Sequence, residues 1–335
     1  MNALRKILFP FSILYGFITA IRNFLFDIGV FKSYSFSVPT IVVGNLSVGG
    51  TGKSPQIEYL IRLLSPKFRV ATLSRGYKRK TQGFILADSS ATAATLGDEP
   101  YQFFSKFESI QVAVDANRKN GIETLLAQKS KPDIILLDDA YQHRKVKGGF
   151  YILLTTYDDL YCDDCILPMG NLRESKRGAK RARIVIVTKC PVDLAVEEQA
   201  KIRVKLNLDK GQELYFSYIK YDDFVFSEDS SIALNRIKNQ SKLLVAGIAK
   251  PDSFFDFLRA KDDICLPFPD HHDFTAADIA SIKNKAGNNL IITTEKDYVR
   301  LKGSLPVEQV FYLPIQSTFI NEGAQFNKTI NDYVG

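Results

Sequence analysis

At 335 residues, with 45% hydrophobic side chains and no low-complexity segment, the chain has room for two compact α/β units and is neither disordered nor fibrous. A formal charge of +7 points to anionic partners: nucleotides, nucleic acid, phospholipid or phosphorylated sugars. Cys162, Cys165, Cys190 and Cys265 are too few and scattered for a disulfide framework, and the Cys162-x-x-Cys165 pair lacks the further ligands of a zinc site.

Near the N-terminus, fifteen uncharged residues, Ile7 to Ile21, separate Lys6 from Arg22. That falls short of the ~20 needed to cross a bilayer. Leu8, Phe11, Leu14, Ile18, Ile21, Leu25 and Ile28 recur at helical spacing, and a stripe of small or polar residues, Ser12, Gly16, Thr19, Asn23 and Asp27, lies opposite. Pro10 is tolerated only near the start of such a helix. The expectation for residues 1–32 is a helix in the membrane interface, with Arg5, Lys6, Arg22 and Lys32 near lipid headgroups. A core helix, a true span and a cleaved signal compete; the last conflicts with Ile18 at the −3 position before Ala20.

Next, the β-branched run Thr40–Val43 feeds a glycine-rich turn closing on Gly49-Gly50-Thr51-Gly52-Lys53-Ser54. This is the strand–loop–helix order of a phosphate-binding P-loop. Glycines let consecutive N–H groups converge on an anion, and the helix adds its positive N-terminal end. Lys53 would reach the β/γ-phosphates and Ser54 would sit on Mg²⁺. One departure from the usual spacing is Ser47, six residues before the lysine, where a glycine is standard.

A helix is expected over 54–64, with Pro55 in its first turn. Strands follow at Arg69–Leu73, Gln111–Val114, Ile134–Leu137, Tyr151–Thr155 and Arg183–Val187, read as a mostly parallel sheet covered on both faces. From Glu213 to Phe226 the pattern alternates and is aromatic, with a turn at Asp222-Asp223, which reads as a two-stranded connector. A second α/β series has strands at Leu243–Ile248, Leu290–Thr294 and Val310–Leu313. The predicted division is 1–32, an interface helix; 33–212, a P-loop domain; 213–228, the β linker; and 229–335, a smaller α/β domain.

Four groups bear on chemistry. Leu96-Gly97-Asp98-Glu99-Pro100 is an acidic turn at a helix start, ordinarily a cap. Asp138-Asp139 ends an apolar strand where P-loop enzymes hold Mg²⁺; neighbours on a strand face opposite ways, so the two acids should not share one role. Gln142 and His143 follow within a turn. A basic run, Arg173, Lys176, Arg177, Lys180, Arg181 and Arg183, encloses Glu174 alone among acids and reads either as a solvated face or as a contact for a lipid phosphate. The other two histidines stand together in Asp270-His271-His272, poorly placed to share one metal ion. Thr188-Lys189-Cys190-Pro191 lacks the aspartate with which GTPases read guanine.

Taken in order, Val43-Gly44-Asn45 into Gly49–Pro55, Ser74-Arg75-Gly76-Tyr77, Gly97-Asp98-Glu99-Pro100, Asp138-Asp139-x-x-Gln142-His143, Asp270-His271-His272 and Thr294-Glu295-Lys296-Asp297 resemble the tetraacyldisaccharide 4′-kinase (lipid A 4′-kinase) family of Gram-negative bacteria, from the N-terminus to about residue 300. That family's P-loop also lacks the leading glycine. The resemblance implies two α/β/α domains joined by a two-stranded linker, and transfer of the ATP γ-phosphoryl group to the 4′-hydroxyl of a tetraacylated glucosamine disaccharide 1-phosphate, giving lipid IV-A at the cytoplasmic face of the inner membrane. It further implies Gly49–Ser54 on nucleotide, Ser54 and Asp138 on Mg²⁺, and Asp98 as base, assisted by His271 or its neighbour His272. Asp138, Asp139 and His143 would form the catalytic cluster, with Tyr77, Arg118, Gln142, Arg173 and Glu174 near substrate. A soluble small-molecule kinase and a membrane-bound nucleotide-binding protein without transfer are the alternatives; nucleic acid is not expected.

Overall fold

The computed structural model describes residues 3–335, in two compact units: one of residues up to Ile219 together with Ser317–Gly335, the other Lys220–Gln316. In chain order the first unit supplies β1 (Thr40–Asn45), β2 (Val70–Ser74), β3 (Ile85–Leu86), β4 (Gln111–Val114), β5 (Ile134–Asp138), β6 (Phe150–Thr156), β7 (Ile184–Thr188) and β8 (Glu213–Tyr221). The second unit holds β9 (Phe224–Phe226), β10 (Ser231–Ala233), β11 (Lys242–Ala246), β12 (Ile264–Pro267), β13 (Leu290–Thr294) and β14 (Val310–Leu313), after which β15 (Ile315–Phe319) returns to the first sheet.

The first sheet runs β15-β8-β7-β6-β1-β5-β2-β4-β3, parallel from β8 to β4 in every pair. Side-chain alternation along β1 explains why its run is apolar throughout. Ile41 and Val43 enter one core with Ile57, Leu60 and Ile61 of the P-loop helix (Lys53–Leu64), while Val42 enters the other with Leu137, Leu153 and Val185. The second sheet runs β10-β9-β14-β13-β11-β12, parallel from β14 to β12, with its own cores on both faces.

Two sequence expectations need correction. The strands flanking Asp222-Asp223 do not form a paired connector: β8 belongs to the first sheet, and β9 pairs with β10 and β14 in the second. On its outer side β8 is flanked by β15, almost a hundred residues further on, a pairing no local pattern reports. The C-terminal unit also stops short of 335, because Phe326 and Ile330 of the helix Gly323–Val334 are fully buried in the first unit's core.

The helix Phe9–Asp27 begins with Pro10 in its first turn, as expected, and packs on the first unit by its polar stripe. Ser12 is its one buried residue, and Gly16 faces Ile166, whose Cδ1 would lie a tight 3.2 Å from a Cβ placed there. Phe11, Leu14, Phe17, Ile18, Ile21 and Phe24 are all exposed. Of the four cations assigned to headgroups, two turn inward: Arg5 donates to Asn171 Oδ1 at 3.0 Å and Arg22 to the Gln142 carbonyl at 2.7 Å.

Candidate active site

The P-loop follows from β1 because Gly49 (φ 110°) and Gly52 (φ 83°) take a left-handed backbone that turns the chain into the helix. Thr188 at the end of β7 fastens this loop, its hydroxyl donating to the Thr51 carbonyl at 2.8 Å. Ser47 forms an antiparallel bridge with Leu172, and the Val48 N–H donates to the Asn171 carbonyl at 2.8 Å, so the position lacking a glycine is held in extended pairing. Lys53 and Ser54 open the helix, and Lys53 Nζ stands 3.7 Å from Asp139 Oδ1.

The two acids at the end of β5 part, but not by strand alternation: β5 stops at Asp138, and Asp139 already lies in the turn beyond it. Asp138 is buried, with Oδ2 accepting from the Ser74 hydroxyl at 3.1 Å and Oδ1 without a partner among the described residues. Burial, reinforced by the charges of Glu99 and Asp139, pushes its carboxyl up to about 7. Asp139 takes a left-handed backbone (φ 45°) and meets Arg173 Nη1 at 3.0 Å. Burial alone would raise its pKa, but Lys53 and Arg173 outweigh it and hold the carboxyl below the usual range. Arg118 is buried, with its two Nη groups on the carbonyls of Asp115 (2.6 Å) and Asp138 (3.2 Å). Burial lowers its pKa to about 10, which still leaves it a cation. Its fork therefore braces the end of β5.

Glu174 is buried and gathers a network: Arg181 in a fork at 2.7 and 3.0 Å, Gln142 Nε2 at 3.1 Å and Asn23 Nδ2 at 2.7 Å. Gln142 also donates to the Asn45 carbonyl at 2.8 Å. His143 is pushed down to about 4, by burial and then by Arg118 and other nearby cations, so its ring is neutral at physiological pH; its Nε2 has no protein partner. Much of the basic run is engaged inside the protein. Arg173 takes Asp139, Arg181 takes Glu174, Lys180 takes Asp209, Arg183 takes Glu213 and Lys176 takes the Cys162 carbonyl. The sequence quoted Ser74 without a role and placed Arg181 only in a charge run; neither partner is local, so no spacing announced them.

Asp98 is the first residue of the helix Asp98–Lys106. Gly97 before it has φ 92° and ψ 159°, a region open in practice only to glycine, and a Cβ there would lie 2.9 Å from the Tyr77 carbonyl. The Ser-Arg-Gly-Tyr and Gly-Asp-Glu-Pro turns are thus in backbone contact. Buried Glu58 of the P-loop helix accepts from Gln102 (2.9 Å) and Lys106 (2.8 Å), clamping the Asp98 helix alongside. Gly97→Ala is expected to destabilise the protein by about 2–3 kcal/mol, read as a lowered denaturation midpoint, with transfer activity falling alongside.

In the second unit the adjacent histidines have different surroundings. His272 Nε2 lies 3.0 Å from Asp278 Oδ2, in a capping box with Thr275, and its ring sits between Phe268 and Phe274. His271 (φ 57°) has Lys296 Nζ 2.9 Å from Nε2 and Arg300 Nη2 3.2 Å from Nδ1, with Asp270 at 3.9 Å. Lys296 belongs to the Thr294-Glu295-Lys296-Asp297 segment that opens the helix after β13.

Residues 4–334 match the family described as LpxK, tetraacyldisaccharide-1-P 4′-kinase. The chain belongs to the LpxK family. It is 65% identical over 334 residues to a tetraacyldisaccharide 4′-kinase of Flavobacterium johnsoniae, covering 100% of this chain and 98% of that protein. A Bacteroides fragilis protein of the same description is 46% identical over 351 residues, 99% of this chain and 93% of that one. A crystal structure of LpxK from Aquifex aeolicus in complex with ATP superposes with a TM-score of 0.81 at 29% identity, covering 99% of this chain and 100% of the other. As in that LpxK, the mixed α/β fold is that of a P-loop kinase.

Proposed function

We propose that the chain transfers the γ-phosphoryl group of ATP to the 4′-hydroxyl of an acylated glucosamine disaccharide 1-phosphate, yielding lipid IV-A. The observation that carries this reading lies at the carboxyl ends of two adjacent central strands: the P-loop after β1, opening on Lys53, and buried Asp138 at the end of β5 with one unclaimed oxygen, which feels the charge of Glu99, the residue after Asp98. Phosphoryl transfer needs positioning and charge neutralisation more than covalent help, and these groups supply both. Lys53 holds the β/γ-phosphates, and the loop's N–H groups cradle them. The orphaned Asp138 oxygen and the Ser54 hydroxyl are hard oxygen donors and fit Mg²⁺, which when bound neutralises phosphate charge. Asp139, tied to Arg173, keeps Lys53 aimed. Asp98 takes the proton of the attacking hydroxyl. Gln142, Arg173, Glu174 and Tyr77 line the acceptor side.

The protein works, on this reading, as a peripheral protein at the cytoplasmic face of the inner membrane, with the exposed face of the helix Phe9–Asp27 in the lipid interface and Lys6 and Lys32 toward headgroups. The polar stripe of this helix meets protein and its apolar face meets solvent, the reverse of a core-packed amphipathic helix. Replacing Phe17 and Ile21 together by serine is expected to cut co-sedimentation with anionic vesicles by about tenfold or more; unchanged sedimentation would remove the anchor. For the reaction itself, Mg-ATP and tetraacyldisaccharide 1-phosphate should give a product heavier by one phosphate, by mass spectrometry. ATP binding without that product would favour a nucleotide-binding protein that performs no transfer.

A further inference from the structure

The inner stripe of the helix Phe9–Asp27 does more than seat it. Its contacts fall on two segments, 142–144 and 166–174, and those segments carry the side chains grouped around Asp139 and Glu174. Tyr15 donates to the Arg173 carbonyl at 3.0 Å, Arg22 to the Gln142 carbonyl at 2.7 Å, and Ser12 accepts from the Met169 N–H at 2.8 Å. Arg144 reaches back to the Asn23 carbonyl (3.0 Å) and to Asp27 (2.7 Å). The one bond from this helix to the buried carboxylate comes from Asn23, whose Nδ2 donates to Glu174 Oε2 at 2.7 Å.

We propose that Asn23 is a positioning residue for phosphoryl transfer, fixing Glu174 and through it Gln142 and the neighbouring Arg173. The inference rests on the kinase reading above and deepens it. Glu174 has two oxygens to serve Arg181, Gln142 and Asn23, and a buried carboxylate that loses one donor turns toward those that remain. Gln142 shares one oxygen with Arg181, so that turn pulls on the amide that braces the Asn45 carbonyl beside the P-loop. Arg173, next in the chain, loses the fixed backbone from which it meets Asp139. The same helix thus divides its labour: outward residues meet lipid, and Asn23 sets the geometry of the transfer site.

The test uses the full chain with detergent-dispersed tetraacyldisaccharide 1-phosphate and Mg-ATP. Asn23→Ala is expected to lower kcat by about tenfold, with KM for ATP within about twofold and vesicle binding unchanged. Thr19→Ala, on the same stripe but bonded within its own helix to the Gly16 carbonyl, should match wild type. In a Glu174→Gln background, Asn23→Ala should cost little more, because the two act as one unit; a merely structural residue would add its full loss there. Near-isosteric Asn23→Leu, which removes the donor without adding a charge, gives the same reading where the alanine variant does not fold. If wild type makes no phosphorylated product, the kinase reading fails. If wild type is active and Asn23→Ala equals Thr19→Ala, or its loss is additive with Glu174→Gln, the positioning role is overturned.

Discussion

Asp98→Ala lowers kcat by at least ~10²-fold while KM for ATP changes little, the expected signature of losing a group used only as the transfer proceeds. Asp98 opens a helix that is locked in place twice: the Gly97–Tyr77 backbone contact fixes its start, and Glu58 fixes its side to the P-loop helix. On the proposed reading nucleotide binding runs through a different segment, the loop ending in Lys53, and is expected to survive. Of the two histidines, the one that serves the transfer is the one whose alanine variant lowers kcat in the same assay. Near-normal turnover of the Asp98 variant in steady-state assays would remove it as the base.

Asp138→Asn is expected to make the protein more stable and almost inactive. The wild-type carboxyl, pushed up to about 7 by burial and then by Glu99 and Asp139, starts from 3.8 in the unfolded chain. Between about pH 4 and 7 the folded protein keeps a proton that the unfolded chain has released, so stability declines as pH rises through that window. Asparagine carries no such penalty. In metal-free buffer near pH 8 the variant should gain on the order of 1–3 kcal/mol, seen as a Tm higher by a few degrees, and the gain should vanish near pH 4. Transfer should fall by roughly 10²–10³-fold, because the amide is a poor ligand for a hard cation and brings no charge. A less stable variant at pH 8 would show that Asp138 is held ionised by partners other than those described.

The elements with strong periodicity were legible in the sequence. β4, β13 and β14 lie where the apolar runs put them, and the stripe Ser12, Gly16, Thr19, Asn23 and Asp27 is the face that packs on protein. The strand–loop–helix order around Gly49–Ser54 was also readable, because it follows from local spacing; the divergence of Asp138 from Asp139 was expected from strand alternation but arises from the left-handed turn at Asp139. What stayed hidden depends on pairs far apart in the chain: β8 with β15, Glu174 with Asn23, Glu58 with Gln102 and Lys106, and Ser74 with Asp138. The inward turn of Arg22 was hidden for a related reason. Its spacing placed it at a membrane surface, but a carbonyl made available by the turn at Gln142 captured it.

The return of β15 and the final helix to the first unit has a consequence for biogenesis. On the ribosome, Lys220–Gln316 emerges as one uninterrupted stretch and can close its own sheet early. The kinase unit, though begun first, must hold an open strand edge and an uncovered patch around Ile57 and Leu60 until Phe326 and Ile330 arrive. The first unit is therefore completed after the second, and nascent chains stalled before Phe326 and Ile330 would expose that seam to aggregation or proteolysis.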